Sequence, residues 1–300
     1  MLKSTAAQQV DQDGSGRRRL IASLPSPVLR ILKGVRAAGL VGLGPIDYVS
    51  RVIEGRSYLP PLRVRSNAGP LSGLEPSGAE FLAYLKLLCG AKPSSRILDI
   101  GCGFGLLGLQ LKKYLRQPGA YVGVDVDRQA IAWAQRHVAS DDASFEFRHL
   151  NLRNAAYNPG GTQQATDRDL PFPSASFDII VLKSVFTHLR PEEVQTYLAE
   201  VSRLLAQNGV CLGTFFLMND VQQSFHQKGR NSIDFRFGDG SWRYAIRDMP
   251  ELAIAYREAE LHQMAAGAHL TLKHTYYGSW SGRPDGLSYQ DILLLSPGKG

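Results

Sequence analysis

The sequence predicts an α/β fold built on a mostly parallel sheet with helices on both faces. From Ser77 onward, short apolar segments typical of strands alternate with amphipathic segments typical of helices. Such alternation is characteristic of parallel strands joined by crossover helices. The last two strand candidates follow each other without a helix between them, which favours an antiparallel pair at the end of the sheet.

The individual elements follow from hydrophobic periodicity and from turn residues. Strands are expected at residues 96–100, 121–125, 145–150, 177–182, 210–217, 269–277 and 289–295. Helices are expected at residues 81–88, 106–115, 128–138, 191–205 and 249–268. Ser77 and Glu80 have the spacing of a capping box in front of the first of these helices.

Charge is distributed unevenly along the 300 residues. The chain has a net charge of +7, and residues 1–65 account for it, because they contain 11 Lys and Arg against 4 Asp and Glu. Residues 66–300 carry 23 of each and are neutral. Because nucleic-acid binding needs a basic working surface, we expect no nucleic-acid partner.

The N-terminal region is expected to differ from the rest of the chain. Residues 1–20 are polar and without periodicity, which predicts a disordered leader. Residues 21–76 are predicted to be a basic helical segment and linker, with an amphipathic helix at 26–36. This helix could contact an anionic membrane surface, but we favour packing over a neighbouring cleft as its role.

Several classes of protein are disfavoured. The sequence contains no run of eighteen apolar residues and no secretory signal, so a cytoplasmic location is expected. The three cysteines, Cys89, Cys102 and Cys211, have neither the spacing of a zinc site nor that of a disulfide framework, and no metal is predicted. No oligomeric state is indicated.

Three glycines after the first predicted strand indicate a ligand that approaches the backbone. The stretch RILDIGCGFG places Gly101, Gly103 and Gly105 at alternate positions behind Asp99. Glycine weakens a strand, but it lets a ligand lie against the main chain. The spacing D-x-G-x-G-x-G differs from the dinucleotide pattern G-x-G-x-x-G and favours S-adenosylmethionine. Asp125, at the end of the second strand, could accept hydrogen bonds from the ribose of either cofactor, so NAD remains an alternative.

Residues from about 77 to 296 resemble the class I S-adenosylmethionine-dependent methyltransferases. The resemblance rests on four segments, LDIGCGFG, GVDVD, LPFPSASFDIIV and LAEVSRLLAQNGVCLGTFF. It implies a Rossmann-like sheet of seven strands whose last strand is antiparallel. It also implies a methyltransferase domain over 77–300 and S-adenosylmethionine as the cofactor.

The resemblance also implies roles for individual residues. The glycine loop would take the methionine part of the cofactor with support from Asp99, Asp125 would take the ribose, and Asn151 would contact the adenine. The full set predicted to bind the cofactor is Asp99, Gly101, Cys102, Gly103, Gly105, Asp125, Val126, Asn151, Leu152 and Lys183.

His188, just past the fourth strand, is the candidate catalytic base. A hydroxyl acceptor must lose a proton, and an imidazole titrates near neutral pH. A role in capping the next helix or lining the cofactor pocket is an equally good interpretation. The predicted reaction is O-methylation of a small molecule such as a glycan, lipid or secondary metabolite. N- or C-methylation, an NAD-dependent oxidoreductase and a non-catalytic binding protein remain alternatives.

Residues 219–250 are too long for a plain connection and are predicted to form a lid over the acceptor. Aromatic and basic residues there, together with the loop before the last strand, suggest a ring-bearing acceptor. For Trp280 and Arg283, a structural role in holding the final hairpin together is a slightly better interpretation than contact with the acceptor. The residues predicted to contact the acceptor are Phe186, Phe225, Trp242, Trp280, Arg283 and Gln290.

Overall fold

The structure is a computed structural model that describes residue 39 and residues 42–65, 74–138, 140–154, 158–164 and 170–298. The predicted leader at 1–20 and the predicted helix at 26–36 lie outside the described residues. Within the described ranges, no helix is both long and apolar enough to cross a membrane.

Eleven strands occur in the described residues, and they form two sheets. They are β1 Arg96–Ile100, β2 Ala120–Asp125, β3 Ser144–His149, β4 Phe177–Leu182, β5 Leu205–Phe215, β6 Leu217–Met218, β7 Phe237–Gly238, β8 Trp242–Tyr244, β9 Ile254–Arg257, β10 Leu270–Tyr276 and β11 Asp291–Pro297.

The α-helices of the same ranges surround these strands. They are α1 Gly44–Ile53, α2 Leu62–Arg65, α3 Leu74–Leu87, α4 Leu106–Leu111, α5 Arg128–His137, α6 Pro191–Leu204, α7 Asp220–Gln227 and α8 Glu258–Gly267.

The main sheet has seven strands in the order β10-β11-β5-β4-β1-β2-β3. The strands from β5 to β3 pair in parallel, whereas β11 is antiparallel to both β5 and β10. The predicted Rossmann-like sheet with an antiparallel last strand is confirmed. From β1 the chain builds the sheet outward in one direction through β2 and β3, and from β4 it builds the sheet in the other direction. Between β1 and β4, a crevice therefore opens at the carboxyl ends of the strands.

Apolar side chains cover both faces of this sheet. On one face, α3, α4 and α5 contribute the buried residues Phe81, Leu111 and Ile131. On the other face, α6 and α8 contribute buried residues including Val194 and Leu261. Because both faces are covered, the central strands β1 and β4 are mostly apolar and buried, as expected for parallel strands covered on two sides, whereas the edge strand β3 is more polar.

A second, four-stranded sheet stands beside the carboxyl edge of the main sheet, in the order β6-β9-β8-β7. The sequence predicted one helix over 249–268, and this prediction is wrong. Residues Pro250–Leu252 form a 3₁₀ turn, Ile254–Arg257 form β9, and only Glu258–Gly267 are α-helical. The run Ile254–Tyr256 is fully buried, and pairing with β8 and β6 fixes it as a strand.

Helix α3 includes Ser77, so the predicted capping box is also wrong. Leu74 already belongs to the helix, and the Glu80 carboxylate accepts a hydrogen bond from the Tyr84 hydroxyl at 2.5 Å. Because Ser77 and Glu80 lie inside the helix, their side chains are available to line the crevice.

Candidate functional site

A cavity of about 720 Å³ lies at the carboxyl ends of β1, β2 and β4. Its floor is formed by the loops that follow these strands. Helix α3 closes one side, and the segments that flank the strands of the small sheet, with the loop before β11, close another. The volume is in the range of ligand sites, which span about 300 to 1,000 Å³.

The glycine loop has a backbone that ordinary side chains adopt only with strain. Gly101, Gly103 and Gly105 have φ angles of +76°, +56° and +80°. A Cβ on Gly101 would lie 2.4 Å from Cγ2 of Val185, so the loop after β4 packs directly against this position. Gly101 and Gly103 line the cavity, and their backbone therefore offers a close approach to a ligand.

Gly105 has a different role from the one predicted. It does not line the cavity but precedes α4, where a Cβ would lie 2.8 Å from Cε1 of Phe147. Its left-handed conformation lets the chain turn into the helix close to β3.

Asp125, at the end of β2, connects this strand to the glycine loop that follows β1. Its carboxylate accepts hydrogen bonds from the backbone N–H groups of Gly103 and Asp127, both at 2.7 Å. Burial raises the pKa of this carboxyl group, and the two N–H donors oppose the rise. Each carboxylate oxygen keeps a further lone pair, so the group can still accept hydrogen bonds from a diol such as a ribose.

Asp99 lies at the bottom of the cavity and is almost fully buried. Its carboxylate accepts a hydrogen bond from the Tyr121 hydroxyl at 2.6 Å. Burial raises its pKa to about 7, against the opposing effects of this hydrogen bond and of the Lys183 charge. The carboxyl group can therefore gain or lose a proton near neutral pH.

Lys183 follows β4 directly and faces the same end of the cavity. Its ammonium group donates a hydrogen bond to Oγ of Ser77 at 2.6 Å and lies 4.5 Å from the centre of the Phe81 ring. Both partners belong to α3. Burial lowers the pKa of Lys183, while the nearby charges of Asp99 and Glu80 raise it.

His188 lies in a 3₁₀ turn after β4 and lines the cavity. Nδ1 of its ring is 2.8 Å from the backbone carbonyl oxygen of Glu251. A carbonyl oxygen only accepts, so Nδ1 carries the proton and Nε2 is the basic nitrogen. Burial lowers the pKa of His188, which keeps the ring neutral at neutral pH.

Gln290 also lines the cavity, and two hydroxyl groups fix the orientation of its amide. Its Oε1 accepts hydrogen bonds from Oγ of Ser184 at 2.9 Å and from Oγ1 of Thr214 at 2.6 Å. The hydroxyl of Thr214 in turn accepts from the backbone N–H of Ser184 at 2.7 Å. Because Oε1 is engaged, Nε2 of Gln290 is the atom left to donate to other groups.

Most predicted cofactor residues come together, with Gly105 and Asn151 as exceptions. The amide of Asn151 donates to Oγ1 of Thr162 at 2.8 Å, and its exposed side chain does not line the cavity. This loop hydrogen bond uses the amide nitrogen of Asn151, whereas its amide oxygen was the atom expected to accept from adenine. The predicted cofactor residues that line the cavity are Asp99, Gly101, Cys102, Gly103, Asp125, Val126, Leu152 and Lys183.

Most of the predicted acceptor residues, in contrast, do not line the cavity. Of the six, Gln290 alone does so. Phe186 is fully buried and stacks on Phe215 in the main core, with ring centres 4.5 Å apart. Trp280 is buried, and its indole N–H donates to Asp291 at 2.7 Å. Arg283 lies over the ring of Tyr277 at 4.3 Å.

Residues 219–250 do not form the predicted lid of aromatic residues. Phe225 lies under the guanidinium of Arg230, and Trp242 packs against the main core. From this segment, Ile233 lines the cavity. The segment instead forms α7 and two strands of the small sheet.

The cavity also contains residues that were not predicted as site residues. The sequence signal for these residues is weak, because most are apolar residues in loops or on helix faces and resemble residues of a hydrophobic core. Ser77, Glu80 and Phe81 could have been found from their shared helical face. The main additions are Val64, Leu74, Ser77, Glu80, Phe81, Ser184, Val185, Phe216, Ile233, Leu252, Ala253 and Tyr289.

No metal site accompanies this cavity in the described part of the chain. No group of three or more His, Cys, Asp and Glu side chains is placed there to hold a metal ion. The polar groups of the cavity instead suit an organic ligand with hydroxyl, amino and carboxylate groups.

Residues 98–213 match a protein family described as a methyltransferase domain. An uncharacterized protein of Haemophilus influenzae is 28% identical over 163 residues, which are 54% of this chain and 59% of that protein. The tRNA N(3)-cytidine methyltransferase METTL2 of Danio rerio is 28% identical over 184 residues, 60% of this chain and 46% of that protein. The METTL2 protein of Gallus gallus is 30% identical over 159 residues, which are 52% of this chain and 40% of that protein. The chain thus spans about half the length of the curated relatives it matches.

Solved structures of similar architecture include 1,6-didemethyltoxoflavin-N1-methyltransferase of Burkholderia thailandensis, with bound 1,6-didemethyltoxoflavin and S-adenosylhomocysteine. It is 18% identical with a TM-score of 0.48, and the match covers 92% of each chain. The PH0226 protein of Pyrococcus horikoshii is also 18% identical with a TM-score of 0.48, over 78% of this chain and 91% of that protein.

The relatives correct one expectation from the sequence. The neutral charge of residues 66–300 predicts that the chain has no nucleic-acid partner. Two of the relatives above are named as tRNA methyltransferases, so proteins of similar sequence act on nucleic acid. The exclusion is therefore wrong, because a neutral average charge says little about a local binding surface.

Proposed function

This chain contains a class I S-adenosylmethionine-dependent methyltransferase domain, and we propose that it methylates a hydroxyl group of a small ring-bearing molecule. In this proposal, the cofactor lies over the glycine loop and Asp125. The acceptor lies towards His188, Leu252 and Ala253, which line the same cavity.

The residues at the cofactor end fit S-adenosylmethionine in shape and charge. Two glycines keep the backbone accessible, and the carboxylate of Asp125 is held in place by two N–H groups. When bound, the cofactor supplies a methyl group on a positively charged sulfur. The chain itself has to bind the two reactants, align them and exclude water.

The orientation of His188 is the single observation that supports a hydroxyl acceptor. The Glu251 carbonyl holds the proton on Nδ1, so the lone pair is on Nε2. Burial keeps the ring neutral, which is the form that can remove a proton from a hydroxyl group. Apolar neighbours such as Val185 and Leu252 would pack against a ring of the acceptor.

A tRNA cytidine is a second candidate acceptor, and the names of the METTL2 relatives favour it. A ring nitrogen already carries a lone pair, so its methylation removes no proton from the acceptor before transfer. The two candidates therefore differ in their need for His188.

A transfer assay with radiolabelled S-adenosylmethionine tests the proposal. A panel of small hydroxyl compounds and bulk tRNA would be offered in parallel to the wild type and to His188→Asn. Asparagine keeps a donor for the Glu251 carbonyl but lacks the basic nitrogen. His137→Asn is the matched control, because His137 is exposed and outside the cavity.

The proposal predicts transfer to a small hydroxyl compound that falls by about 10²- to 10⁴-fold in His188→Asn and is unchanged in His137→Asn. Transfer to tRNA alone, with equal rates in both variants, would contradict it and favour the second candidate.

A further inference from the structure

Lys183 is a cationic side chain whose partners are electrically neutral. The hydroxyl of Ser77 accepts one hydrogen bond from its ammonium group, and the ring of Phe81 lies beneath it. Within the described ranges, no ion pair joins Lys183 to an Asp or Glu side chain. An ammonium group has three donors, and a partly buried charge with neutral partners loses hydration that they do not fully replace.

The acidic residues nearest in the cavity do not neutralise this charge. Asp99 acts on Lys183 only through longer-range attraction, and its carboxylate already accepts from Tyr121. Burial raises the pKa of Asp99 to about 7, so part of its own charge is lost near neutral pH. Glu80 accepts a hydrogen bond from Tyr84 on the same helix.

The position of Lys183 in the sheet links it to the glycine loop. Strands β1 and β4 pair in parallel, with Ile100 opposite Leu182. Gly101 and Lys183 are the next residues along these neighbouring strands, so they leave the sheet side by side. A ligand group that rests on the glycine loop therefore comes within reach of the ammonium group.

We propose that the ammonium group of Lys183 binds the α-carboxylate of S-adenosylmethionine. This inference rests on the proposed function, because it takes the glycine loop as the site of the methionine part. A carboxylate would accept the donors that Ser77 does not use, and it would supply the missing negative charge. By holding both the carboxylate and Ser77 of α3, Lys183 would also connect the covering helix to the bound cofactor.

Calorimetric titration with three ligands separates this role from a general effect on the cavity. S-adenosylhomocysteine has the carboxylate, decarboxylated S-adenosylhomocysteine lacks only that group, and 5′-methylthioadenosine lacks both the carboxylate and the amino group. The variants are Lys183→Gln and the control Lys86→Gln. Lys86 lies on helix α3, which also carries the Lys183 partners Ser77 and Phe81, but it is exposed and does not line the cavity.

The expected result is a loss of about 10- to 100-fold in affinity for S-adenosylhomocysteine in Lys183→Gln, since charged hydrogen bonds contribute about 1.5 to 3 kcal/mol. Affinity for the two ligands without a carboxylate should stay within about twofold of the wild type. Lys86→Gln should bind all three ligands like the wild type.

Equal losses for all three ligands in Lys183→Gln, or no loss for any, would overturn the inference. A wild type that binds S-adenosylhomocysteine and its decarboxylated form equally would also overturn it, without any variant. If the wild type binds none of the three ligands, the proposed function itself fails, and the two failures are thereby distinguished.

Discussion

Individual residues at the strand ends decide how closely a ligand can approach this chain. Gly101 has a left-handed backbone and no room for a Cβ, because Cγ2 of Val185 would lie 2.4 Å away. A left-handed conformation costs an L-residue about 1 to 2 kcal/mol before any collision is counted. The position therefore tolerates no side chain without strain in its own backbone and movement of Val185.

Gly101→Ala should weaken the binding of S-adenosylhomocysteine by more than about tenfold, because the glycine loop must move away from Val185. Calorimetric titration measures this directly. Gly90→Ala is a matched control, since Gly90 also has a positive φ of +68° but open space around its Cβ position. Comparable losses of affinity in both variants would show that backbone strain alone, rather than the shape of the loop, explains the effect.

The pH dependence of turnover tests the protonation state assigned to His188. Its pKa is lowered from 6.5 by burial, so the neutral base is present above that lowered value and is lost as the pH falls through it. With a hydroxyl acceptor, kcat should stay level from neutral pH down to about 6.5 and decrease only below it. A decrease that begins above pH 7 in the wild type would contradict a neutral buried imidazole.

At the scale of the elements, the small sheet is joined to the main sheet by an aromatic cluster. The rings of Phe216, Phe235 and Trp280 pack edge to face or tilted, with centres 5.2 to 5.4 Å apart. The carboxylate of Asp291 accepts from the Trp280 indole and from the backbone N–H of Leu217, both at 2.7 Å. These contacts hold Phe216 at the wall of the cavity.

Phe235→Ala should lower the free energy of unfolding by about 3 to 5 kcal/mol, because it removes a buried ring from this cluster. Denaturant unfolding measures the loss. Phe237→Ala is the comparison, since Phe237 is only half-buried on the short strand β7 and should cost clearly less. Equal losses for the two variants would mean that the cluster does not specifically stabilise the small sheet.

The elements also show what the sequence could and could not predict. Strands β1, β2 and β4 could be predicted because each is an apolar run with a charged residue at or near its end. These residues are Asp99, Asp125 and Lys183, and they are local signals. The run at 254–256 was assigned to a helix because a short apolar run has no period that separates helix from strand. Its partner strand β6 is distant in sequence, and its other partner, β8, is only three residues long and has no strand signal of its own.

The difference between local and long-range signals also explains which residues of the cavity could be predicted. Glycines and acids that follow strands have a recognisable spacing, so the residues that line this end of the cavity could be predicted. Aromatic residues in loops pack in a core as readily as in a binding site, and Phe186 and Trp280 proved to be core. The residues that line the cavity near His188, such as Leu252 and Ala253, resemble any apolar residue of a loop.

At the scale of the whole molecule, the cavity is formed by three separate parts of the chain. Helix α3, the loops of the main sheet and the segments that flank the strands of the small sheet each supply a wall. A ligand that contacts all three should stabilise them as one unit. S-adenosylhomocysteine at one hundred times its dissociation constant should raise the free energy of unfolding by about 2.7 kcal/mol. An unchanged thermal midpoint at that concentration would contradict binding to the folded cavity.

A crystal structure of the protein with S-adenosylhomocysteine tests the central claim most directly. We predict that the ligand occupies the cavity, with its ribose hydroxyls within hydrogen-bonding distance of the Asp125 carboxylate and its homocysteine part on the backbone of Gly101 and Gly103. His188 should then lie on the side of the sulfur where an acceptor can enter. A ligand bound elsewhere, or one whose ribose makes no contact with Asp125, would contradict the account.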